Sequence, residues 1–155
     1  MTILTLLLCV SAGTIGGVFF AFSSFVMRAL AQLPVNLGIA AMQRINVVVL
    51  NPLFLGAFMG TALLASACVV LSFLPWGAPR SPLLLASGLL YAVGSFLVTV
   101  AFNVPRNDRL AGLDAQSPEA AAYWPIYILE WTRWNHVRTV ASVASAACAA
   151  GALAT

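Results

Sequence analysis

Trp131-Thr132-Arg133-Trp134-Asn135-His136-Val137-Arg138-Thr139, continuing to Ser145, is the stretch from which the rest of the chain can be read. It contains two of the four Trp, two of the seven Arg and the one His, and it runs directly into the last apolar segment. At about 100° per residue on a helix, Trp131, Asn135, Arg138, Ser142 and Ser145 share one side, with Trp134 at its edge. Polar groups in hydrocarbon are costly and turn toward a bundle interior or a cavity. The stripe therefore predicts a membrane-crossing helix whose polar side faces other helices. His136 lies well around the helix from Arg138, so the two need not share a site.

Composition supports a membrane setting. The 155 residues leave room for one domain. A hydrophobic fraction of 62%, a charged fraction of 7% and a mean hydropathy of +1.00 lie far outside soluble values. The net charge of +3 comes from Arg without any Lys, and these Arg sit beside apolar runs as topology signals. No basic tail or RNA-type aromatic motif points to nucleic acid. Cys9, Cys68 and Cys148 each fall in a separate apolar run and read as small apolar residues, not as a disulfide or metal framework.

Uncharged runs of crossing length predict an all-α fold: four transmembrane helices over about 3–27, 50–74, 83–102 and 137–154, in one domain, 1–155. Residues 2–27 lack the basic n-region and cleavage pattern of a signal peptide, and Gly13, Gly16 and Gly17 permit close helix approach. Short interfacial helices are expected before spans two and four. The first begins near Asn36 as its cap and covers Leu37 to Asn46. Asn51-Pro52 then marks a kink or a fresh start. Pro75 to Pro82 reads as a short turn, and Asn103 to Arg109 as a polar loop stiffened by Pro105. Ser117-Pro118-Glu119 starts the second interfacial helix, bent or restarted at Pro125. Tyr123, Trp124, Tyr127, Trp131 and Trp134 suit the headgroup level. Arg28, Arg44, Arg106, Arg109, Arg133 and Arg138 fall on one membrane face and Arg80 on the other. The positive-inside rule then puts the Arg-rich face in the cytoplasm and both termini outside, in a cytoplasmic membrane of the bacterial type.

Three polar groups converge on the Arg-rich face of an up-and-down bundle. They are Gln43, Arg44 and Asn46 with Asn51; Asn103 through Arg109, including Asn107; and Glu130 through Arg138 with Ser142. Bordered by Trp131 and Trp134, they have the content of a pocket for a polar-edged aromatic or anionic molecule. Snorkelling at the headgroups is the plainer reading for the loop residues. Glu130 and Arg133, one turn apart, can form a surface ion pair. His136 is a candidate general base. No His-x-x-His, Glu-x-x-His or Cys pair defines a metal site, and a haem would have His136 without an obvious second ligand.

Ala21-Phe22-Ser23-Ser24, Met42-Gln43-Arg44-Ile45-Asn46 followed by Asn51-Pro52, Asn103-x-Pro105-x-Asn107, and Trp131-x-x-Trp134-Asn135-His136-Val137-Arg138-Thr139 together resemble the anthrone oxygenase-like family of small four-helix membrane proteins. The resemblance spans nearly the whole chain. It implies an integral membrane bundle, and for some members oxidation of anthrones to anthraquinones. If the reaction carries over, a base makes an electron-rich carbanion that reacts with oxygen without a cofactor. Trp131 and Trp134 would stack on the substrate, Arg138 with Asn135 or Asn51 would hold the oxyanion, and His136 or Glu130 would take the proton. Arg44, Asn46, Asn103 and Asn107 complete the expected substrate-binding set. The alternatives are a non-catalytic membrane protein binding a small lipophilic ligand or a partner subunit, and a haem or metal redox protein. Small-residue faces suggest a homo-oligomer, which intrachain packing explains equally well.

Overall fold

The computed structural model describes residues 2–73 and 82–154. Among them are five helices: α1 Thr2–Ala31, α2 Val35–Val48, α3 Pro52–Leu71, α4 Pro82–Ala111 and α5 Pro118–Ala154. All except α2 are long and apolar enough to cross a membrane. The expected turn from Pro75 to Pro82, with Arg80, lies for the most part outside the described residues.

The four long helices form an up-and-down ring. α1 packs most extensively on α5 and also on α3; α4 packs on α5 and α3. Leu8, Ala12, Ile15, Phe19, Phe58, Ala65, Cys68, Leu84 and Tyr91 fill the shared core. Close approach is set by glycines. A Cβ on Gly16 would meet Val143 Cγ2 at 3.2 Å, and one on Gly88 would meet Val69 Cγ2 at 2.6 Å and the Ala65 carbonyl at 2.7 Å. Gly17, by contrast, faces open space.

Local sequence explains most helix ends. Pro34 stops α1 and occupies the cap position of α2, which starts at Val35; Asn36 lies inside the first turn and is not the cap. Asn51-Pro52 is a fresh start: Asn51 Oδ1 accepts from Phe54 N at 2.9 Å, and Pro52 needs no N–H there. The Ser117 hydroxyl likewise accepts from Ala120 N at 3.1 Å. Two segments are more helical than expected. Asn103 to Arg109 continues α4 rather than forming a loop, because Pro105 falls in the first turn after a wide-turn segment, where its missing N–H is tolerated. α5 runs through Pro125 without restarting, so the second interfacial helix is the first half of one 37-residue helix. The carbonyl that Pro125 leaves without a helical donor belongs to Ala121, which is exposed.

A second core sits above the ring. α2 folds across the ends of α1 and α4 and onto the first half of α5. It buries Met27, Leu30, Ile39, Met42, Leu110, Tyr123, Trp124, Tyr127 and Trp131. Four of the five aromatic residues expected at the headgroup level, Tyr123, Trp124, Tyr127 and Trp131, are therefore the interior of a cap. Trp124 and Tyr127 stack at 5.6 Å, and Tyr127 and Trp131 at 6.4 Å. Gln43 Nε2 closes the cap by donating to the carbonyls of Leu110 and Leu113, both at 2.8 Å, groups that a helix end leaves open.

Replacing Gly88 with Ala should wedge α3 from α4 and cost about 1–3 kcal/mol. Gly56→Ala, where the new Cβ meets nothing within 4 Å, should stay within about 0.5 kcal/mol of the parent. Unfolding in mild detergent measures both. Equal stabilities would refute the α3–α4 contact.

Candidate functional site

α4 and α5 meet along a line of polar side chains. On α4 these recur every four residues: Ser87, Tyr91, Ser95, Thr99, Asn103 and Asn107. A four-residue step overshoots one α-helical turn by about 40°, so such a row would wind off the interface within a few steps. Leu90–Leu97 and Thr99–Asn103 are π-helical. Their wider i→i+5 turns need more than four residues each, which takes the drift back and keeps the row facing α5.

The α5 row opposite is Trp131, Asn135, Arg138, Ser142 and Ser145, all buried. The rows pair in order. The Ser87 hydroxyl donates to the Ser145 carbonyl and the Ser145 hydroxyl to the Ser87 carbonyl, both at 2.8 Å. Ser142 Oγ donates to Ser95 Oγ at 2.9 Å, and Asn103 Nδ2 to the Trp131 carbonyl at 3.2 Å. Asn107 Oδ1 accepts from both the Tyr127 hydroxyl and Trp131 Nε1 at 2.8 Å. Asn46 Nδ2 reaches the same Tyr127 oxygen at 3.4 Å.

Arg138 sits where the two cores meet. It is 6% exposed. Its guanidinium carbon lies 4.0 Å from the centre of the Phe19 ring and 4.7 Å from that of Trp131. Nε donates to Asn135 Oδ1 at 2.8 Å, and Nη1 reaches Thr99 Oγ1 at a long 3.4 Å. No carboxylate pairs with it among the described residues, where the ion pair is Arg106–Glu130. An Arg carries five N–H donors, so most of this one's donors are unspent. Asn135, fully buried, fixes the guanidinium from behind: its Nδ2 donates to the Phe19 carbonyl at 2.8 Å and to Ser23 Oγ at 2.6 Å. Ser23 lies in the π-helical Phe22–Val26 segment of α1, so wide turns flank Asn135 and Arg138 from two helices. Such turns are frequent at functional sites.

A run of rings leads to the guanidinium. Phe19 meets Phe58 edge-on at 6.2 Å, and Phe58 is 6.0 Å from Phe54, 5.5 Å from Phe96 and 6.3 Å from Tyr91. Asn103 Oδ1 is buried without a hydrogen-bond partner. An unsatisfied acceptor, a cation with spare donors and an aromatic wall together suit a flat molecule that develops negative charge on one oxygen.

Not every expected site residue joins this seam. Trp131, Asn135, Arg138 and Asn103 form it, while Asn107 and Asn46 hold its upper aromatic residues. Trp134 lies to one side, stacked on Phe102 at 3.6 Å. Glu130 turns to Arg106 Nε at 2.9 Å rather than to Arg133. Asn51 is spent as a helix cap, donating also to the Val48 carbonyl at 2.9 Å, and Arg44 is exposed. His136 is exposed and opens onto a groove between α1 and α5 that Ser23, the partner of Asn135, also lines. No three His, Cys, Asp or Glu side chains gather as a possible metal site among the described residues. Residues missed by reading the sequence are Phe19, Ser23, Ser95, Thr99 and the Phe54–Phe58–Phe96 wall. The four-residue row on α4 was the available signal.

The fold and seam define an integral membrane four-helix bundle with a buried cationic site. Residues 53–148 match the family described as anthrone oxygenase, and the chain belongs to that family. No curated protein and no solved structure matches it.

A buried unpaired cation is an expense to the fold, so Arg138→Met should leave thermal stability unchanged or raise it. Asn135→Leu strands the Arg138 Nε–H, the Phe19 carbonyl and Ser23, and should cost about 2–4 kcal/mol. Unfolding in detergent ranks the two variants. Arg138→Met as the more damaging of the pair would make the arginine a structural group.

Proposed function

We propose that this protein is a membrane oxygenase that draws a planar aromatic carbon acid of the anthrone type from the bilayer and oxidises it with molecular oxygen. The observation that carries this reading is the Arg138 guanidinium, buried between the Phe19 and Trp131 rings with most donors uncommitted and no carboxylate partner among the described residues. A stability role gives no reason for such a group, since an Arg at hydrocarbon depth costs about 2.5–3.5 kcal/mol even on the mildest scale.

The chemistry follows from the substrate. Removing a proton from the carbon between two aryl rings sends negative charge to the carbonyl oxygen opposite. A fixed cation in a dry site stabilises that oxyanion without having to reorganise. The carbanion then reduces dioxygen and bonds to it, giving a peroxide at the same carbon. Protonation of the peroxide, loss of the second hydrogen as a proton and departure of water leave a carbonyl. One anthrone and one dioxygen become one anthraquinone and one water. The protein's own residues bind, orient and take the proton, and the scheme assigns no resident cofactor.

In this reading Arg138 holds the oxyanion, Asn135 positions Arg138, and Trp131 supplies the stacking face. Asn103, with its free acceptor, takes a substrate hydroxyl. His136, which opens onto the α1–α5 groove, and Glu130, which pairs with Arg106, are the two candidate proton acceptors. The Arg-bearing cap is assigned to the cytoplasm and the termini to the opposite side by the positive-inside rule.

Oxygen uptake by proteoliposomes supplied with 9-anthrone tests the reading, with anthraquinone formed in equal amount. Arg138→Met should lower kcat/KM by about 10²–10³-fold, with Arg138→Lys between it and the parent. If His136 is the base, His136→Gln should lose turnover while Glu130→Gln does not; the reverse result assigns the proton to Glu130. Turnover by Arg138→Met equal to the parent would remove the oxyanion role. Anthrone binding without oxygen uptake would favour the non-catalytic lipophile-binding alternative.

A further inference from the structure

Thr139 follows Arg138 directly on α5, about 100° further round the helix. Its side chain is buried against α1, where Thr139 Oγ1 lies 3.0 Å from Ser23 Oγ. Thr139 Oγ1 also donates to the Asn135 carbonyl, one turn back, at 2.7 Å. A hydroxyl has one proton to give. Thr139 spends its own on that carbonyl, so in the contact with Ser23 the donor is Ser23. Ser23 then has only lone pairs to offer Asn135 Nδ2, which reaches it at 2.6 Å. Asn135 Nδ2 thus donates to Ser23, Ser23 to Thr139, and Thr139 back to the Asn135 backbone. The ring closes across α1 and α5 and runs one way only.

What this ring controls is the plane of an amide. Asn135 Nδ2 has two protons, one on the Phe19 carbonyl at 2.8 Å and one on Ser23. A single bond leaves the amide free to rock; two bonds to groups one turn apart on α1 fix it. The reverse orientation would set Oδ1 against the Phe19 carbonyl and Nδ2 against the Arg138 Nε–H. Oδ1 instead accepts from Arg138 Nε at 2.8 Å, so the amide aims the guanidinium. Without the Thr139 oxygen, Ser23 loses its acceptor. The route left to it is the one Ser24 takes, donating to the carbonyl four residues back at 2.6 Å. For Ser23 that carbonyl belongs to Phe19, which Asn135 also uses. Ser23 would then compete with the amide instead of anchoring it.

We propose that Thr139 is a positioning residue for Arg138, fixing the guanidinium through Ser23 and Asn135. Its bearing on turnover rests on the oxyanion role given to Arg138 above. Because that charge develops in the transition state, misaiming the guanidinium should lower kcat and leave KM near the parent's.

Thr139→Val keeps the shape and removes the hydroxyl, whereas Thr139→Ser keeps the hydroxyl. Solvent exchange of the Arg138 Nε–H, followed by ¹⁵N–¹H spectra in detergent, should quicken about tenfold in Thr139→Val. Its kcat for 9-anthrone should fall by about the same factor. Thr139→Ser should restore both. Ser23→Ala should quicken exchange at least as much, and adding Thr139→Val to it should change nothing further, since the relay is already cut. A purely structural threonine predicts the contrary: unaltered exchange at Arg138, or equal losses with and without Ser23. Either result, or failure of Thr139→Ser to rescue, would overturn the relay. Exchange is measured without substrate, so oxygen uptake by the parent protein tests the oxygenase reading separately.

Discussion

The guanidinium of Arg138 is held at the junction of two apolar cores by a neutral amide, a distant hydroxyl and two aromatic faces, without an opposing charge among the described residues. Such a group can be kept only if the surrounding helices are arranged around it. The charge-assisted bond to Asn135, of order 1.5–3 kcal/mol, and the ring contacts, each about 2 kcal/mol when desolvated, offset much of the desolvation. They do so only while α1 brings Phe19 and Ser23, α4 brings Thr99, and Asn107 of α4 holds the Trp131 ring over the site. One side chain thus draws its contacts from α1, α4 and α5 at once.

The π-helical segments make that arrangement geometrically possible. A regular α4 would carry Ser87, Ser95, Thr99 and Asn103 progressively away from α5. The wide turns spend extra residues to hold them in register with Ser145, Ser142, Arg138 and Trp131. Every bond in the row joins neutral groups except the one at Arg138. Neutral serine pairs zip the lower half of the bundle, amides and ring donors fix the upper half, and the sole cation lies between. Within the anthrone oxygenase family match, which ends at residue 148, both rows are included. The α1 groups that support Asn135 fall outside it.

Much of this was legible in the sequence, and the failures have physical causes. Uncharged runs announced the four crossings. Asn51-Pro52 and Ser117-Pro118 announced two helix starts, and the i, i+3, i+4 spacing of Trp131, Asn135, Arg138, Ser142 and Ser145 announced the buried stripe. Tyr123, Trp124 and Tyr127 look like a headgroup belt because that is where amphipathic rings commonly lie; α2 folding over them turns them into a core, a tertiary event with no local signature. Glu130 has Arg133 one turn away but meets Arg106 from α4, a pairing across 24 positions. Pro125 and Pro105 read as breaks, yet each falls where its missing bond costs little. The π turns of α4 were hidden for another reason: a four-residue polar row looks irregular against a 3.6-residue template.

The most direct measurement is a ¹⁵N–¹H spectrum of the arginine side chains, in detergent, on protein labelled only at Arg. One Nε–H should be protected from solvent exchange, displaced by ring currents from Phe19 and Trp131, and absent from Arg138→Met. Its guanidinium signals should shift on adding a planar aromatic phenolate but not the corresponding neutral methyl ether. If all seven arginines exchange freely, or if the protected signal ignores the phenolate, Arg138 is not a buried cation awaiting an oxyanion and the account fails.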